Sequence, residues 1–208
     1  MDDKVLRNLS YGLFVLTAND EGKDNGCICN TAIQAAGGEI PIITVAVNKA
    51  NLTCEMISKT KKLTVSILSE DASFDTFKHF GFQSGRDVDK FASFTDCKRV
   101  ANGTMAITKG TNGYISAYVK EEIDLGTHML FIAMMTDGEV FSKVPSATYA
   151  YYFENIKPKP EAVGKTPDGQ TVWRCKICGY EYVGEELPKD FVCPLCKHPA
   201  SDFEKVVN

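Results

Sequence analysis

The stretch W-R-C-K-I-C-G-Y-E-Y at residues 173–182, followed by C-P-L-C at residues 193–196, decides the fold of the C-terminal part of this chain. It contains two Cys-x-x-Cys knuckles, formed by Cys175, Cys178, Cys193 and Cys196. Two tight turns can close such knuckles around one tetrahedral metal ion, whereas four thiolates without a metal would repel one another and oxidise readily. Iron and zinc both accept four sulfur ligands in this geometry, so the ligand set alone does not choose between them.

Size and composition place this metal-binding stretch beside one ordinary domain. The chain has 208 residues, of which 44% are hydrophobic and 24% charged, as in a typical globular protein. A piece as short as residues 172–208 cannot bury enough apolar surface to fold alone, so it needs its metal. The net charge of −4 argues against a nucleic-acid partner, which would select a basic surface.

The N-terminal sequence and the cysteine content predict a cytoplasmic protein. Residues 1–8 lack the basic-then-apolar pattern of a secretion signal, and the longest apolar run, at residues 40–47, is too short to span a bilayer. The eight cysteines of such a chain are better explained as metal ligands and reduced thiols than as disulfides. We therefore expect no membrane partner.

The residues that flank the knuckles resemble those of rubredoxins. The matching positions are Gly179, Tyr180, Tyr182, the segment Leu187–Phe191 (LPKDF), Pro194 and Phe203. The resemblance implies one iron ion on all four knuckle cysteines, inside a small aromatic core, that passes one electron at a time. The segment between the knuckles is shorter than in free-standing rubredoxins.

Residues 1–155 are predicted to form one mainly β domain with short helices. Apolar and β-branched runs predict strands at residues 11–18, 40–47, 63–68, 113–119, 129–134 and 138–141. The 40–47 run predicts a strand buried on both faces, and residues 19–26 form a cluster of turn formers. Helices are expected at 52–59, capped by Asn51, and at 73–80, with its phenylalanines in the core. No strand–helix alternation or Gly-rich phosphate motif is visible, so a closed or nearly closed antiparallel barrel fits best.

Residues 156–171 are predicted to be a linker to the domain at 172–208. They are rich in proline, glycine and lysine and contain little that could pack in a core. Fully stretched, they could span up to about 50 Å.

Several blocks of residues 4–153 resemble the flavin reductase-like family. They are Asn25–Gln34 (NGCICNTAIQ), Val45–Lys49 (VAVNK) and Leu63–Leu68 (LTVSIL). The resemblance implies a split β-barrel that binds FMN at the interface of a homodimer. Fused to a rubredoxin-like domain, it resembles the high-molecular-weight rubredoxins of anaerobes. In that family NADH or NADPH reduces FMN, which reduces the iron, which serves a flavodiiron protein that reduces O2 or NO.

The same resemblance implies a set of flavin-binding residues. Cys27, Asn30 and Thr31 would line the flavin, and Asn48, Lys49 and Thr53 would contact its ribityl-phosphate side. The segment Ser84–Gly85–Arg86 suits a phosphate on physical grounds as well, because it combines a hydroxyl, a flexible backbone turn and a guanidinium. A solvated turn after a helix is the alternative for this segment.

The candidate catalytic residue is His128, in the segment Gly126–Thr127–His128. The family often has Gly-Asp-His here, near the nicotinamide, and Thr127 replaces the acid. A hydrogen-bonded structural histidine is the alternative.

Other conspicuous residues have structural interpretations. Cys27 and Cys29 are expected on opposite faces of a strand, which argues against a second metal, and Cys54 and Cys97 are expected to be packed, reduced thiols. The aromatic cluster at residues 149–153 could cover a flavin edge, but an anchor for the end of the barrel is favoured.

Three functions remain open from the sequence. The leading hypothesis is an NAD(P)H:rubredoxin-type oxidoreductase with both centres in one chain. The second is a free-flavin or ferric reductase whose C-terminal zinc ribbon only docks partners. The third is a non-catalytic flavin-binding sensor with a zinc ribbon.

Overall fold

The apolar runs of the first part of the chain pair as antiparallel strands in the computed structural model, which describes residue 5 and residues 8–158, 171–176, 179–194 and 199–206. The first strands are β1 (Phe14–Asp20), β2 (Lys23–Cys29), β3 (Ala32–Ala36), β4 (Ile42–Asn48) and β5 (Lys62–Leu68). After them come β6 (Cys97–Arg99), β7 (Met105–Ile107), β8 (Thr111–Asp124) and β9 (His128–Val140). The helices are α1 (Leu52–Thr60), α2 (Phe74–Gly81) and the short α3 (Tyr149–Tyr151), which continues as a π-turn over Tyr152–Ile156.

The main sheet closes on itself through a short connection. Within the described residues its seven strands lie in the order β2-β1-β5-β8-β9-β4-β3, and each neighbouring pair is antiparallel. The two edge strands, β2 and β3, follow one another in the chain, with only Asn30 and Thr31 between them. The connection forces the two edges together, so the sheet curls into a split barrel. The mainly β prediction is confirmed.

Helix α1 fills the barrel because its apolar side chains enter the same core as the strands. Cys54, Met56 and Ile57 pack in one cluster with β-strand residues such as Leu16 and Phe131. Asn51 takes the N-cap position with extended backbone, as predicted, although its side chain makes no capping hydrogen bond.

Helix α2 covers the outside of β2 with its phenylalanines. Phe77 and Phe80 are buried, as predicted, in a second cluster with Leu13, Val15 and Tyr152. Gly26 permits the close approach, since a Cβ there would lie 3.2 Å from the Phe80 ring. In the same cluster, Tyr152 lies 4.5 Å from Phe77 between ring centroids, which favours the interpretation of the aromatic segment as an anchor.

Three details of the predicted strands are wrong. The predicted turn at 19–26 is instead a tight hairpin turn at Glu21 and Gly22, both at positive φ, and the second half of that segment belongs to β2. Residues 138–140 are extended as predicted, but they are the end of the long β9 and do not form a separate strand. Finally, β4 alternates between buried and partly exposed residues, so it is buried on one face only.

The exposed side of β4 belongs to a larger apolar surface, here called the outer sheet face. Direct partners in antiparallel strands share a face, so the register defines it. Its members are Ile33 of β3, Ile42, Thr44 and Ala46 of β4, Leu130, Ile132 and Met134 of β9, and Tyr118, Glu121 and Ile123 of β8. All of them except Thr44 and Glu121 are apolar. Ile33 is 68% exposed and Ile123 43%, and the other members are partly or fully exposed.

Contacts divide the chain into two compact units, residues 1–157 and 158–208. The second contains β10 (Val172–Cys175), β11 (Glu181–Val183) and β12 (Phe203–Val206), with β10 in the centre. Most of the predicted linker, from residue 159 to 170, lies outside the described residues. Among the helices that the structure describes, none has the length and apolar content to cross a membrane.

Candidate functional site

The seam of the barrel carries the first group of predicted flavin residues. Cys27 and Cys29 lie at the end of β2, Asn30 and Thr31 form the connection, and both thiols are buried. Thr31 is fixed on β4, since its carbonyl accepts a hydrogen bond from the Ala46 amide at 3.1 Å and its hydroxyl donates to the Ala46 carbonyl at 2.7 Å. The seam is therefore held to the strand that leads to the next group of predicted residues.

The prediction that Cys27 and Cys29 point to opposite faces is wrong. Residues two apart in a strand share a face, and both thiols lie in the barrel core, whereas Ile28 between them packs toward α2. Burial, with a smaller contribution from the neighbouring Cys29, raises the pKa of the Cys27 thiol to about 12. Burial also raises the pKa values of Cys29 and Cys54. All three are therefore neutral thiols at physiological pH, as are packed structural cysteines.

The end of β4 brings Asn48, Lys49 and His128 together. Asn48 pairs directly with His128, the first residue of β9, and the Lys49 amide donates to the Thr127 carbonyl at 3.0 Å. The Lys49 ammonium lies 2.7 Å from an Asp124 carboxylate oxygen. Donation from Lys49 and from the Gly126 amide lowers the pKa of Asp124.

His128 makes its contact with its neighbour in the chain. Its Nδ1 lies 2.9 Å from the Thr127 hydroxyl, and the side chain is partly exposed. Thr127, which replaces the aspartate that the family often has, therefore contacts the imidazole ring of His128 directly. This contact fits a structural histidine and a functional one equally, and the role of His128 stays a prediction.

The first turn of α1 and the loop after α2 form the third group. Thr53 is buried, and its hydroxyl accepts a hydrogen bond from the Asn25 side chain at 3.0 Å. Gly85 presses against the same asparagine, since a Cβ on Gly85 would lie 2.1 Å from the Asn25 Oδ1. Only glycine allows the loop to approach β2 this closely.

Arg86 projects from this loop and meets α1. Its guanidinium lies 2.9 Å from a Glu55 carboxylate oxygen, with both side chains half exposed or more. The Arg86 amide donates to the Ser84 hydroxyl at 3.1 Å, which ties the turn together. Arg86 is therefore a half-exposed cation in a loop that its own amide and the Ser84 hydroxyl tie together.

The chemistry of these donors fits a flavin mononucleotide phosphate. Two partly exposed cations lie near the connection from β4 into α1. Lys49 directly follows β4 and pairs with Asp124, and Arg86 pairs with Glu55 on α1. Hydroxyls, backbone amides and a guanidinium are the groups that bind phosphate dianions. Sequence reasoning missed Asn25, Glu55 and Asp124 because their contacts join segments that are distant in the chain.

Two concave regions of the first unit lie elsewhere. One, of about 310 Å³, is lined by residues such as Asp71, His79 and Lys109, and the other, of about 440 Å³, by residues such as Tyr114 and Val140. None of the sequence-predicted site residues lines either cavity.

The second unit places two of the four predicted metal ligands at its centre. Cys175 ends β10 and Cys193 follows β11, and both are almost fully buried. After the first knuckle, Gly179 has a φ of +80° and donates its amide to the Cys175 carbonyl at 2.9 Å. Such a tight turn with glycine suits a metal knuckle. Cys178 and Cys196 lie outside the described residues, and among the described ones no group of three or more potential ligands gathers.

Aromatic rings of the second unit form a small shell, and one of its members, Phe203, pairs directly with Cys175 across β10 and β12. Phe191 contacts Tyr182 and Phe203, with ring centroids 4.8 and 5.3 Å apart. The Trp173 indole donates to the Gly184 carbonyl at 3.1 Å. Buried thiols in an aromatic shell fit a metal held in a dry environment, which is one of the factors that set a reduction potential.

Comparisons with known protein families match both units. Residues 6–159 match the flavin reductase like domain, and residues 173–204 match the rubrerythrin, rubredoxin-like domain. The first match covers well over half of the chain.

Known relatives match most or nearly all of the chain. The chain is 32% identical, over 99% of its length and 100% of the relative, to a high molecular weight rubredoxin of Moorella thermoacetica. It is 31% identical, over 83% of its length and 98% of the relative, to a ferric-chelate reductase (NAD(P)H) of Archaeoglobus fulgidus. The crystal structure of a flavoredoxin from Methanosarcina acetivorans has the same fold, with a TM-score of 0.58, 16% identity and coverage of 86% of this chain and 87% of that one.

Proposed function

Since this chain belongs to the flavin reductase-like family and ends in a rubredoxin-like domain, we propose that it is an NAD(P)H:rubredoxin-type oxidoreductase. It passes electrons from NAD(P)H through FMN to a rubredoxin-type iron, and on to a flavodiiron protein that reduces O2 or NO. The observation that carries the proposal is the presence of both domains in one chain, which a high molecular weight rubredoxin matches over 99% of this chain and 100% of its own length. The domains are residues 1–155 and 172–208, with a linker at 156–171.

The two units are chemically complementary. A nicotinamide delivers two electrons together as a hydride, whereas a single iron accepts one. A bound flavin supplies the conversion between the two, and the protein supplies position and electrostatics.

The residues that would hold FMN are those at the seam and around α1. Cys27, Asn30 and Thr31 line the ring side, and Asn48, Lys49 and Thr53 line the ribityl-phosphate side. Ser84, Gly85 and Arg86 bind the phosphate. The proposal is supported by the half-exposed guanidinium of Arg86, in the same turn as the Ser84 hydroxyl, and by the accessible ammonium of Lys49.

His128 is the candidate for orienting the nicotinamide. It lies directly opposite Asn48 across β4 and β9, and so at the edge of the proposed flavin site. The Thr127 hydroxyl at its Nδ1 can fix the ring orientation, in place of the acid that the family often has.

A second copy of the chain is the proposed occupant of the outer sheet face. The uninterrupted apolar sequence of β4 is typical of a strand covered on both faces, yet one face of it is open here. The open residues continue across β3, β9 and β8 with mainly apolar side chains, and Glu121 opposite Ile132 is the charged exception. The His128 and Lys49 group borders this face, so a dimer would place two flavin sites near its interface.

In the second unit, Cys175, Cys178, Cys193 and Cys196 are proposed to hold one iron ion. The burial of Cys175 and Cys193 and the aromatic shell support this assignment.

Cofactor analysis of the purified protein tests the proposal. Protein from iron-replete cells should contain about one iron and one non-covalent FMN per chain, and it should be red from four-sulfur ferric iron. Controlled metal supply is essential, because zinc can occupy the same ligands. Zinc at full occupancy without any iron-dependent colour, or FAD as the main flavin, would refute the assignment.

A second candidate function is a ferric reductase, favoured by the likeness to the Archaeoglobus ferric-chelate reductase. In that case the first unit alone would transfer electrons to the acceptor, and the metal domain would only dock partners. Removal of the second unit distinguishes the two functions.

A further inference from the structure

A buried lysine ties together three parts of the first unit next to the proposed phosphate loop. Lys90 is only 4% exposed. Its ammonium donates to the Gly26 carbonyl of β2 at 2.8 Å and to the Phe80 carbonyl at the end of α2 at 2.9 Å. Burial lowers the pKa of Lys90. Burial of an ammonium costs free energy unless hydrogen bonds or a partner charge compensate for the lost hydration.

The backbone of the same residue is held as well. The Lys90 carbonyl lies 2.7 Å from Nε2 of His79 on α2, which donates to it. Lys90 therefore anchors the C-terminal end of the segment 82–90. The N-terminal end of this segment is held because it continues directly from α2. Inside the segment, the amides of Asp87 and Val88 both donate to the Ser84 carbonyl, each at 3.1 Å.

The segment that is anchored in this way carries Ser84, Gly85 and Arg86. It is pressed onto Asn25 of β2, one residue before the Gly26 carbonyl that Lys90 holds. The loop and the strand beneath it are thus fixed to each other by Lys90 from one side and by Gly85 from the other. A loop fixed before binding avoids the entropic penalty of ordering it on the ligand.

We propose that Lys90 is a positioning residue for phosphate recognition, which holds the Ser84–Gly85–Arg86 loop in its binding conformation. It acts through the loop and does not touch the flavin. The inference rests on the proposed function, namely that this loop binds the FMN phosphate. It predicts that Lys90 matters for ligands with the phosphate and not for those without it.

The test compares FMN with riboflavin, which lacks the phosphate, on the flavin-depleted full-length protein. In Lys90→Met the side-chain volume is kept and both hydrogen bonds are lost. FMN affinity should fall about tenfold, whereas riboflavin affinity should stay within about twofold. The tenfold loss corresponds to about 1.4 kcal/mol, the free energy of ordering the loop, which the variant would have to supply when FMN binds. Lys78→Met, a change on the exposed side of α2, serves as the matched control and should alter neither affinity.

Other outcomes would overturn the inference. If Lys90→Met binds FMN as tightly as the wild type, or loses both ligands equally, Lys90 has only a general structural role. Arg86→Ala in the same series separates the two proposals. If Arg86→Ala weakens FMN binding and Lys90→Met does not, only the role of Lys90 fails. If neither variant weakens FMN binding, or if the wild type does not bind FMN more tightly than riboflavin, the proposed phosphate site is wrong, and the role of Lys90 is wrong as well.

His79→Phe provides a second, independent test if Lys90→Met does not fold. It retains the ring contacts with Phe80 and Phe94 and removes only the hydrogen bond to the Lys90 carbonyl. In His79→Phe, FMN affinity should again fall more than riboflavin affinity, by a smaller factor than in Lys90→Met. Unchanged selectivity in His79→Phe would overturn the anchoring role.

Discussion

At the scale of single residues, the proposed site has cations that are already paired with carboxylates. Arg86 contacts Glu55, and Lys49 contacts Asp124. Exposed pairs of this kind contribute little to stability, typically below about 1 kcal/mol, so a phosphate dianion can share or displace the carboxylate at low cost. The pairs keep both cations near the site.

Arg86→Ala tests the role of the guanidinium. FMN retention should weaken by about 2–4 kcal/mol if Arg86 becomes a desolvated phosphate partner, because removal of one member of such a pair leaves the other charge uncompensated. Equilibrium titration of flavin-depleted protein measures it. Lys78→Ala is the control, since Lys78 is another half-exposed cation in an ion pair. An Arg86→Ala protein with wild-type FMN affinity would show that the segment is only a solvated turn.

At the scale of elements, the sequence predicted what depends on local pattern. The bounds of α1, α2 and β5 match within one or two residues, because capping positions and apolar periodicity determine them. Strand β3 and the first half of β2 were missed as strands, since Asp24, Asn25 and Gly26 in β2 resemble a turn. In the fold, Gly26 accommodates Phe80 and Asn25 binds Thr53, and these tertiary contacts are invisible in a local pattern.

The site shows the same division. The motif blocks pointed to β2, the end of β4 and the loop after α2, and the structure brings these segments around α1. Lys90 was not among the predicted residues, because its two acceptors are backbone carbonyls 10 and 64 residues away along the chain. Because every residue has a backbone carbonyl, the sequence does not indicate which carbonyls accept a side-chain hydrogen bond.

The outer sheet face yields a prediction about assembly. Ile123→Glu should dissociate the proposed dimer, because a buried unpaired carboxylate costs several kcal/mol, and a twofold interface contains the change twice. Analytical ultracentrifugation at several protein concentrations measures the effect. Val140→Glu is the control, since Val140 is 80% exposed and lies at the other end of β9. A wild-type protein that is monomeric and still retains its flavin would contradict the proposed interface.

At the scale of the whole molecule, one chain carries two units with different chemistry. The first has a split barrel with a candidate flavin site, and the second has buried cysteines in an aromatic shell. If each unit folds by itself, loss of the second should leave the first able to accept a hydride. Electron transfer to a protein partner should then be lost, since the one-electron exit is absent.

The central claim, that flavin is the entry point and iron the exit, is tested most directly by anaerobic reduction with NADH or NADPH. It is followed at the flavin and iron absorption bands in the intact protein, in the protein stripped of flavin, and in a variant that lacks residues 158–208. The account predicts that both bands bleach in the intact protein, with the iron never ahead of the flavin. It also predicts that iron in the stripped protein stays oxidised, and that the shortened protein remains reducible but no longer serves its protein partner. Reduction of the iron without flavin would contradict the order of transfer, and undiminished partner reduction by the shortened protein would contradict the role of the iron domain.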